Sequence, residues 1–247
     1  MTVVKLGGSI ITDKGVDFSY RDEAVRSIGR AIASTGEKVV IVHGGGSFGH
    51  PIAKKFHLSS SKPRRSSEGV SETRRAMFDL DARVCDSLLA AGLEPYAFSP
   101  YPLLAQAGRK GSAWLRAMLV AGLTPVTFGD VVHSKEGFRI ISGDTISLSL
   151  CESLGATRCI FVMDVDGILD RDGKVISTLD EEDANRLMGL TSSDATGGIA
   201  LKVKEALKMA ASGTEVAFVS GFRPRELSKA LKRVRFHGTI VRVPSRD

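Results

Sequence analysis

Short β-branched runs alternate with longer stretches of helical periodicity along the whole chain. Val3-Val4-Lys5-Leu6 reads as a first strand, stopped by Gly7-Gly8. From Arg21 to Ser34, the apolar residues Ala24, Val25, Ile28, Ala31 and Ile32 fall on one face of a helix. Val39-Val40-Ile41-Val42 is apolar on both faces and ends in three glycines, as a buried strand does. Ser71 to Ala91 carries Met77, Leu80, Val84, Leu88 and Leu89 and predicts a long helix closed by Gly92. Tyr96–Phe98 and Pro125–Phe128 predict strands, with a helix from Trp114 to Ala121 between them. A helix over Ile146–Leu154, a strand at Cys159–Met163, a helix over Ile199–Ala211 and a strand at Val216–Val219 follow, and Thr239–Arg242 closes the sheet.

Strands that are apolar on both faces and separated by helices predict an α/β fold, a mainly parallel open sheet sandwiched by helices. Right-handed crossovers then bring most strand ends to one edge, where ligands collect.

Composition narrows the classes. The 247 residues fit one α/β domain, or two small lobes sharing a sheet. With 43% apolar and 25% charged residues the chain can bury a core and is not disordered. No apolar run approaches the roughly 18 residues that span a bilayer. The first residues lack the basic head and apolar core of a secretory signal. Cys85, Cys151 and Cys159 are unclustered and odd in number, so neither a zinc site nor a disulfide framework is expected. A cytoplasmic location is therefore the expectation, with no resident metal. The net charge of +6 is modest, and its densest stretch, Lys62-Pro63-Arg64-Arg65, reads as a solvated loop rather than a nucleic-acid surface. A mildly basic protein also suits anionic small molecules.

Three loops after strands contain clustered glycines: Lys5-Leu6-Gly7-Gly8-Ser9, Gly44-Gly45-Gly46-Ser47-Phe48-Gly49-His50 and Thr196-Gly197-Gly198-Ile199-Ala200-Leu201-Lys202. Glycine lets successive backbone N–H groups approach an anion without a Cβ in the way, and a helix that starts just after the loop adds its positive end. Gly44, Gly46 and Gly49 also satisfy G-x-G-x-x-G, but Glu68 is a poor candidate for the ribose-binding acid, because it falls in a Ser/Lys/Arg-rich stretch before a helix. A P-loop fails, since His50 and Pro51 occupy its Lys and Ser/Thr positions.

The N-terminal Lys5-Leu6-Gly7-Gly8-Ser9, the triple-glycine loop, Ser142-Gly143-Asp144, Asp164-Val165-Asp166-Gly167-Ile168, and Gly197-Gly198-Ile199 with Lys202 resemble the amino acid kinase superfamily, in its order and over nearly the whole chain. Thr12-Asp13-Lys14 and Gly46-Ser47-Phe48-Gly49-His50 resemble the isopentenyl phosphate kinase family within it. The resemblance implies transfer of the γ-phosphoryl group of ATP, carried with Mg²⁺, to isopentenyl phosphate, giving isopentenyl diphosphate for isoprenoid synthesis by an alternative mevalonate pathway. It implies an acceptor lobe over 1–155 and a nucleotide-binding lobe over 156–247, sharing one continuous sheet, and a homodimer.

It also implies roles. Lys5, Lys14 and Lys202 act on the transferring phosphoryl group, with Lys202 preferred to Lys204 by spacing; His50 hydrogen-bonds the acceptor phosphate; Asp144 orients the lysines. Gly7, Gly8, Ser9, Gly46, Asp164, Asp166, Gly167 and Gly198 line the ATP site. Gly45, Gly49, Ser142 and Gly143 meet the acceptor. Val70, Met77 and Ile140, with Phe78 and Val131, are candidates for the apolar tail. The residue types suit the chemistry. A phosphate monoester has its second pKa near 6, so at pH 7 its attacking oxygen is already deprotonated and needs cations rather than a base. The remaining histidines, His43 among them, match no family position. The alternatives are a kinase of another small anion (fosfomycin or a nucleoside monophosphate), a nicotinamide-dependent oxidoreductase and a non-catalytic phosphometabolite sensor.

Overall fold

Five buried residues in succession form β1 (Thr2–Leu6), and they can be buried on both faces because helices cover each side of it. A computed structural model describes residues 1–58, 66–101, 110–134, 137–190 and 197–242. The basic stretch at Lys62–Arg65 and the first residue of the third glycine loop, Thr196, lie outside them.

After β1 come α1 (Gly8–Ile11), α2 (Asp22–Ala33), β2 (Val39–His43), α3 (Gly46–Lys55), α4 (Ser67–Ala90), β3 (Pro95–Ala97), α5 (Lys110–Val120) and β4 (Thr124–Phe128). A hairpin, β5 (Asp130–Ser134) and β6 (Gly137–Ile141), precedes α6 (Gly143–Leu154), β7 (Arg158–Met163), β8 (Thr178–Leu179), α7 (Glu181–Leu190), α8 (Gly197–Ala211), β9 (Glu215–Ser220), α9 (Pro224–Leu231) and β10 (Thr239–Val241). Among the described residues, eight strands form one sheet in the order β3-β4-β2-β1-β7-β9-β10-β8. The first six are mutually parallel, and β10 joins β9 antiparallel with β8 outside it. The α/β fold with a mainly parallel sheet between helices is therefore as the sequence predicts.

The strand period of two divides the core. Val4, Leu6, Ile41, Val126 and Ile160 pack against α2, α4 and α9, while Val3, Val40, Val42, Cys159 and Phe161 pack against α5, α6 and α8. Lys5 lies between Val4 and Leu6 and so projects to the α6 and α8 side.

Several boundaries differ from the periodicity. α4 begins four residues before Ser71, because Ser66 Oγ caps it by accepting a hydrogen bond from Gly69 N at 3.0 Å. α6 begins at Gly143 because Ser142 Oγ accepts from Thr145 N at 3.1 Å. α3 starts at Gly46, so Pro51 lies inside the helix and His50 is a helical residue. The hairpin and α7 and α9 have no counterpart in the apolar pattern, since α9 buries only Leu227, Ala230 and Leu231.

Candidate active site

The first two glycine loops press against each other at the end of adjacent parallel strands. A Cβ on Gly8 would lie 2.7 Å from Gly46 N, and one on Gly44 would lie 2.9 Å from Gly8 N. Gly46 also has φ +46°, and a Cβ there would collide with Thr12 Oγ1. Close backbone packing therefore requires these glycines, which accounts for the G-x-G-x-x-G spacing without a dinucleotide. The packing sets α1 and α3 starting side by side. The amides of Gly8, Ser9, Gly45 and Gly46 find no acceptor among the described residues, and the positive end of α3 adds to them.

Beside this cradle Asp144 holds two lysines. Lys5 Nζ is 2.6 Å from Asp144 Oδ1, and Lys202 Nζ donates to Oδ2 at 2.9 Å. Lys5 and Asp144 are both buried. Gly143 lets α6 come this close, since a Cβ there would meet Lys5 Cε at 3.4 Å and His43 O at 3.1 Å. Burial pulls the Lys5 ammonium below the ordinary lysine range, Asp144 opposes that, and Lys202 adds to it. Burial pushes the Asp144 carboxyl up, yet the two lysines outweigh it and hold it below the usual carboxylate range. Asp144 thus stays ionised and engaged, a counter-charge rather than a proton acceptor. Lys204 is exposed, as a position two residues from Lys202 on a helix should be.

The segment carrying Lys14 is fastened to the start of α3. Thr12 Oγ1 accepts from Ser47 N at 2.9 Å, and Ser19 Oγ accepts from Asp13 N at 2.7 Å. Pro51 has no N–H, so within α3 the Ser47 carbonyl is released from its usual i→i+4 bond; Phe18 N donates to that carbonyl at 3.2 Å. Lys14 itself is exposed. His50, on α3, is exposed to solvent but feels three nearby cations. Partial desolvation, then Lys5, Lys202 and Lys14, holds its imidazole below the ordinary histidine range.

The other predicted residues divide. Val70 and Ile140 share a small cluster with Val131, between α3, α4 and the hairpin. Met77 belongs instead to the main core, its Sδ 2.7 Å from where a Cβ on Gly49 would sit. Phe78 is half exposed under the Arg74 guanidinium. Ser142 caps α6, with Gly143 and Asp144 in its first turn. At the end of β7, Asp164 is exposed, Asp166 pairs with Arg223 at 2.8 Å, and Gly167 packs on Thr239 and Val175. Gly198 lies in the first turn of α8, the helix that delivers Lys202.

Sequence reasoning passed over two buried polar clusters. His43 joins Asp81 through Nε2 at 3.1 Å beneath the second glycine loop. Asp130 accepts from Val131 N at 2.7 Å and faces Arg74 at 3.3 Å, and burial pushes its carboxyl up. A histidine directly before the triple glycine was the available signal for the first; the second joins α4 to the hairpin and had none.

The amino acid kinase family model matches residues 1–220. The isopentenyl phosphate kinase of Thermoplasma acidophilum is 36% identical over 247 residues, covering 98% of this chain and all of that protein. That of Methanothermobacter thermautotrophicus is 34% identical, with 98% of each chain covered. A crystal structure of the T. acidophilum kinase in its product complex superposes with a TM-score of 0.80 at 33% identity, over 98% of this chain and 100% of that one.

Proposed function

The chain belongs to the amino acid kinase family, and we propose that it transfers the γ-phosphoryl group of ATP to isopentenyl phosphate, giving isopentenyl diphosphate and ADP. Relatives at 36% and 34% identity, matched over 100% and 98% of their length, carry that activity in their names. The observation in this chain that carries the reading is the joint placement of Lys5, Lys202 and the free amides of Gly8, Ser9, Gly45 and Gly46, with Asp144 neutralising the lysines between reactions.

Two polyanions must meet, and the barrier is their repulsion and the charge on the moving group. The acceptor phosphate lies on the amides of the second loop, with neutral His50 donating a hydrogen bond to it. Lys5, Lys14 and Lys202 face the β- and γ-phosphates. The acceptor oxygen attacks phosphorus, the bond to the β-phosphate bridging oxygen breaks, and ADP leaves with that electron pair. No proton need be removed at neutral pH. Among the described residues no three carboxylate, histidine or cysteine side chains cluster as a cation cage requires. Magnesium, where it takes part, is then held mostly by the nucleotide's phosphates and contributes charge neutralisation.

The acceptor's apolar tail points toward Val70, Val131 and Ile140, and residues 1–155 form the acceptor lobe and 156–247 the nucleotide lobe. The sheet itself runs unbroken from β3 to β8. The proposed boundary coincides with Gly155, the left-handed C-cap of α6. The active form is a homodimer in a cytoplasmic setting.

ADP release measured with isopentenyl phosphate, fosfomycin and UMP as competing acceptors tests the reading. Preferred turnover of isopentenyl phosphate is expected. Strong turnover of either rival with none on isopentenyl phosphate would reassign the acceptor.

A further inference from the structure

His43 is fully buried at the end of β2, directly before the glycine cradle, and none of the steps above uses it. Its Nδ1 lies 3.1 Å from the carbonyl oxygen of Gly44, and its Nε2 lies 3.1 Å from Oδ1 of the buried Asp81 on α4. A carbonyl oxygen only accepts, so Nδ1 donates to Gly44 O in the tautomer that carries its proton there. Asp81 holds the ring from its Nε2 side. The ring also faces Phe128, with centroids 5.6 Å apart, which fixes its plane.

The peptide between Gly44 and Gly45 is trans, like the other peptides among the described residues, so its C=O and N–H point in opposite directions. Drawing the Gly44 oxygen down onto His43 therefore turns the Gly45 N–H outward. That N–H meets no acceptor among the described residues. On the far side, the Gly45 carbonyl accepts from Phe48 N at 3.1 Å and Gly49 N at 2.9 Å, so the next peptide is held by α3. With two glycines in succession, the chain has no side-chain preference of its own to hold this peptide plane.

We propose that His43, anchored by Asp81, is a positioning residue that aims the Gly45 N–H at the acceptor's phosphate. This rests on the phosphoryl-transfer reading and assigns a role that lies one layer beneath the groups touching substrate.

The experiment compares wild type, His43→Leu, His43→Asn and Asp81→Ala. Steady-state kinetics are run with isopentenyl phosphate and ATP varied in turn, and the Gly45 amide resonance is followed by NMR during titration with inorganic phosphate. His43→Leu should raise KM for isopentenyl phosphate roughly tenfold or more, as loss of one charge-assisted contact does, with KM for ATP within about twofold. His43→Asn keeps an N–H donor near the Nδ1 position and should restore most of the loss. Asp81→Ala frees the ring without removing it and should fall between, which also serves if His43→Leu does not fold. In wild type, phosphate should shift the Gly45 amide resonance, and in Asp81→Ala the shift should shrink. Equal rises in both KM values, unchanged kinetics, no rescue by asparagine or an unmoved Gly45 resonance would each overturn the proposal. Absence of wild-type turnover on isopentenyl phosphate would instead contradict the functional reading, leaving the phosphate titration to judge His43.

Discussion

Lys5 and Lys202, from the first strand of the sheet and its eighth helix, grip opposite oxygens of one carboxylate, Asp144, at 2.6 and 2.9 Å. Two ammonium groups this near would repel each other strongly with nothing between them. Asp144 makes their approach tolerable before any substrate binds. In the proposed reaction the phosphates of ATP would take over part of each lysine's coordination.

Replacing Asp144 should therefore weaken both fold and rate. Asp144→Asn keeps the shape and removes the charge, leaving the buried Lys5 without its counter-ion; a loss of about 3 kcal/mol at pH 7 is expected. Asp144 titrates below its unfolded value. Its stabilisation is present above the ordinary carboxylate range and is lost as pH falls through the folded value. Urea denaturation should show wild type and Asp144→Asn converging below about pH 4. A gap that persisted undiminished into strong acid would show that the charge is not the cause.

His50 should act as a neutral donor. Its imidazole is held below the ordinary histidine value of 6.5 by burial and then by Lys5, Lys202 and Lys14. NMR of the free protein should give a midpoint under 6.5, rising when a phosphate dianion is bound. His50→Ala should lower kcat/KM for the acceptor by about 100-fold, with KM for ATP within about twofold. A midpoint above 7 in the free protein would contradict the cationic surroundings described for the ring.

Lys14 differs from Lys5 in being solvent-exposed and carried on a fastened loop, so it should contribute mainly once charge develops. Lys14→Ala should lower kcat by about 100-fold with both KM values nearly unchanged. A pure KM effect would place it in ground-state binding. Thr12→Val, which leaves Ser47 N without its acceptor, should reproduce a milder form of the same kcat loss while leaving the lysine in place.

The two-loop contact tolerates no Cβ. Gly46→Ala combines a left-handed φ of +46° with a collision against Thr12 Oγ1. It should cost about 3 kcal/mol or more by thermal or urea denaturation. Gly36→Ala makes a fair comparison: its φ is +68° but nothing lies within 4 Å, so only the backbone strain remains, about 1 kcal/mol. Equal costs at the two positions would mean that the loops do not pack as described.

The apolar runs disclosed the sheet because each central strand is buried on both faces, and β1, β2, β7 and β9 all begin and end within a residue or two of those runs. Elements with one thin apolar edge, such as α9, or with half-exposed faces, such as β6, left little trace in the pattern. The start of α3 left no mark in the apolar pattern, for a local reason. Proline normally favours a first turn, and here Pro51 is tolerated deeper in the helix, where Phe18 N takes the carbonyl it leaves free. At the site, the juxtaposition of Lys5, Asp144 and Lys202 was marked in the sequence only by their places beside glycine turns, since aspartate at a helix start is common in itself. The tail residues were not marked even that far. Val70 and Met77 are two turns apart on one helix, and only the three-dimensional packing separates a wall near the hairpin from a core residue under the glycine loop. His43 was legible in position but not in role, since its partner Asp81 lies 38 residues away.

The decisive measurement is ³¹P NMR of wild-type protein incubated with ATP, magnesium and isopentenyl phosphate. Consumption of the monophosphate resonance, matched by a new pair of coupled diphosphate doublets distinct from ADP, is the expected result. ADP accumulating with free inorganic phosphate alone, or a mixture left unchanged, would contradict the account.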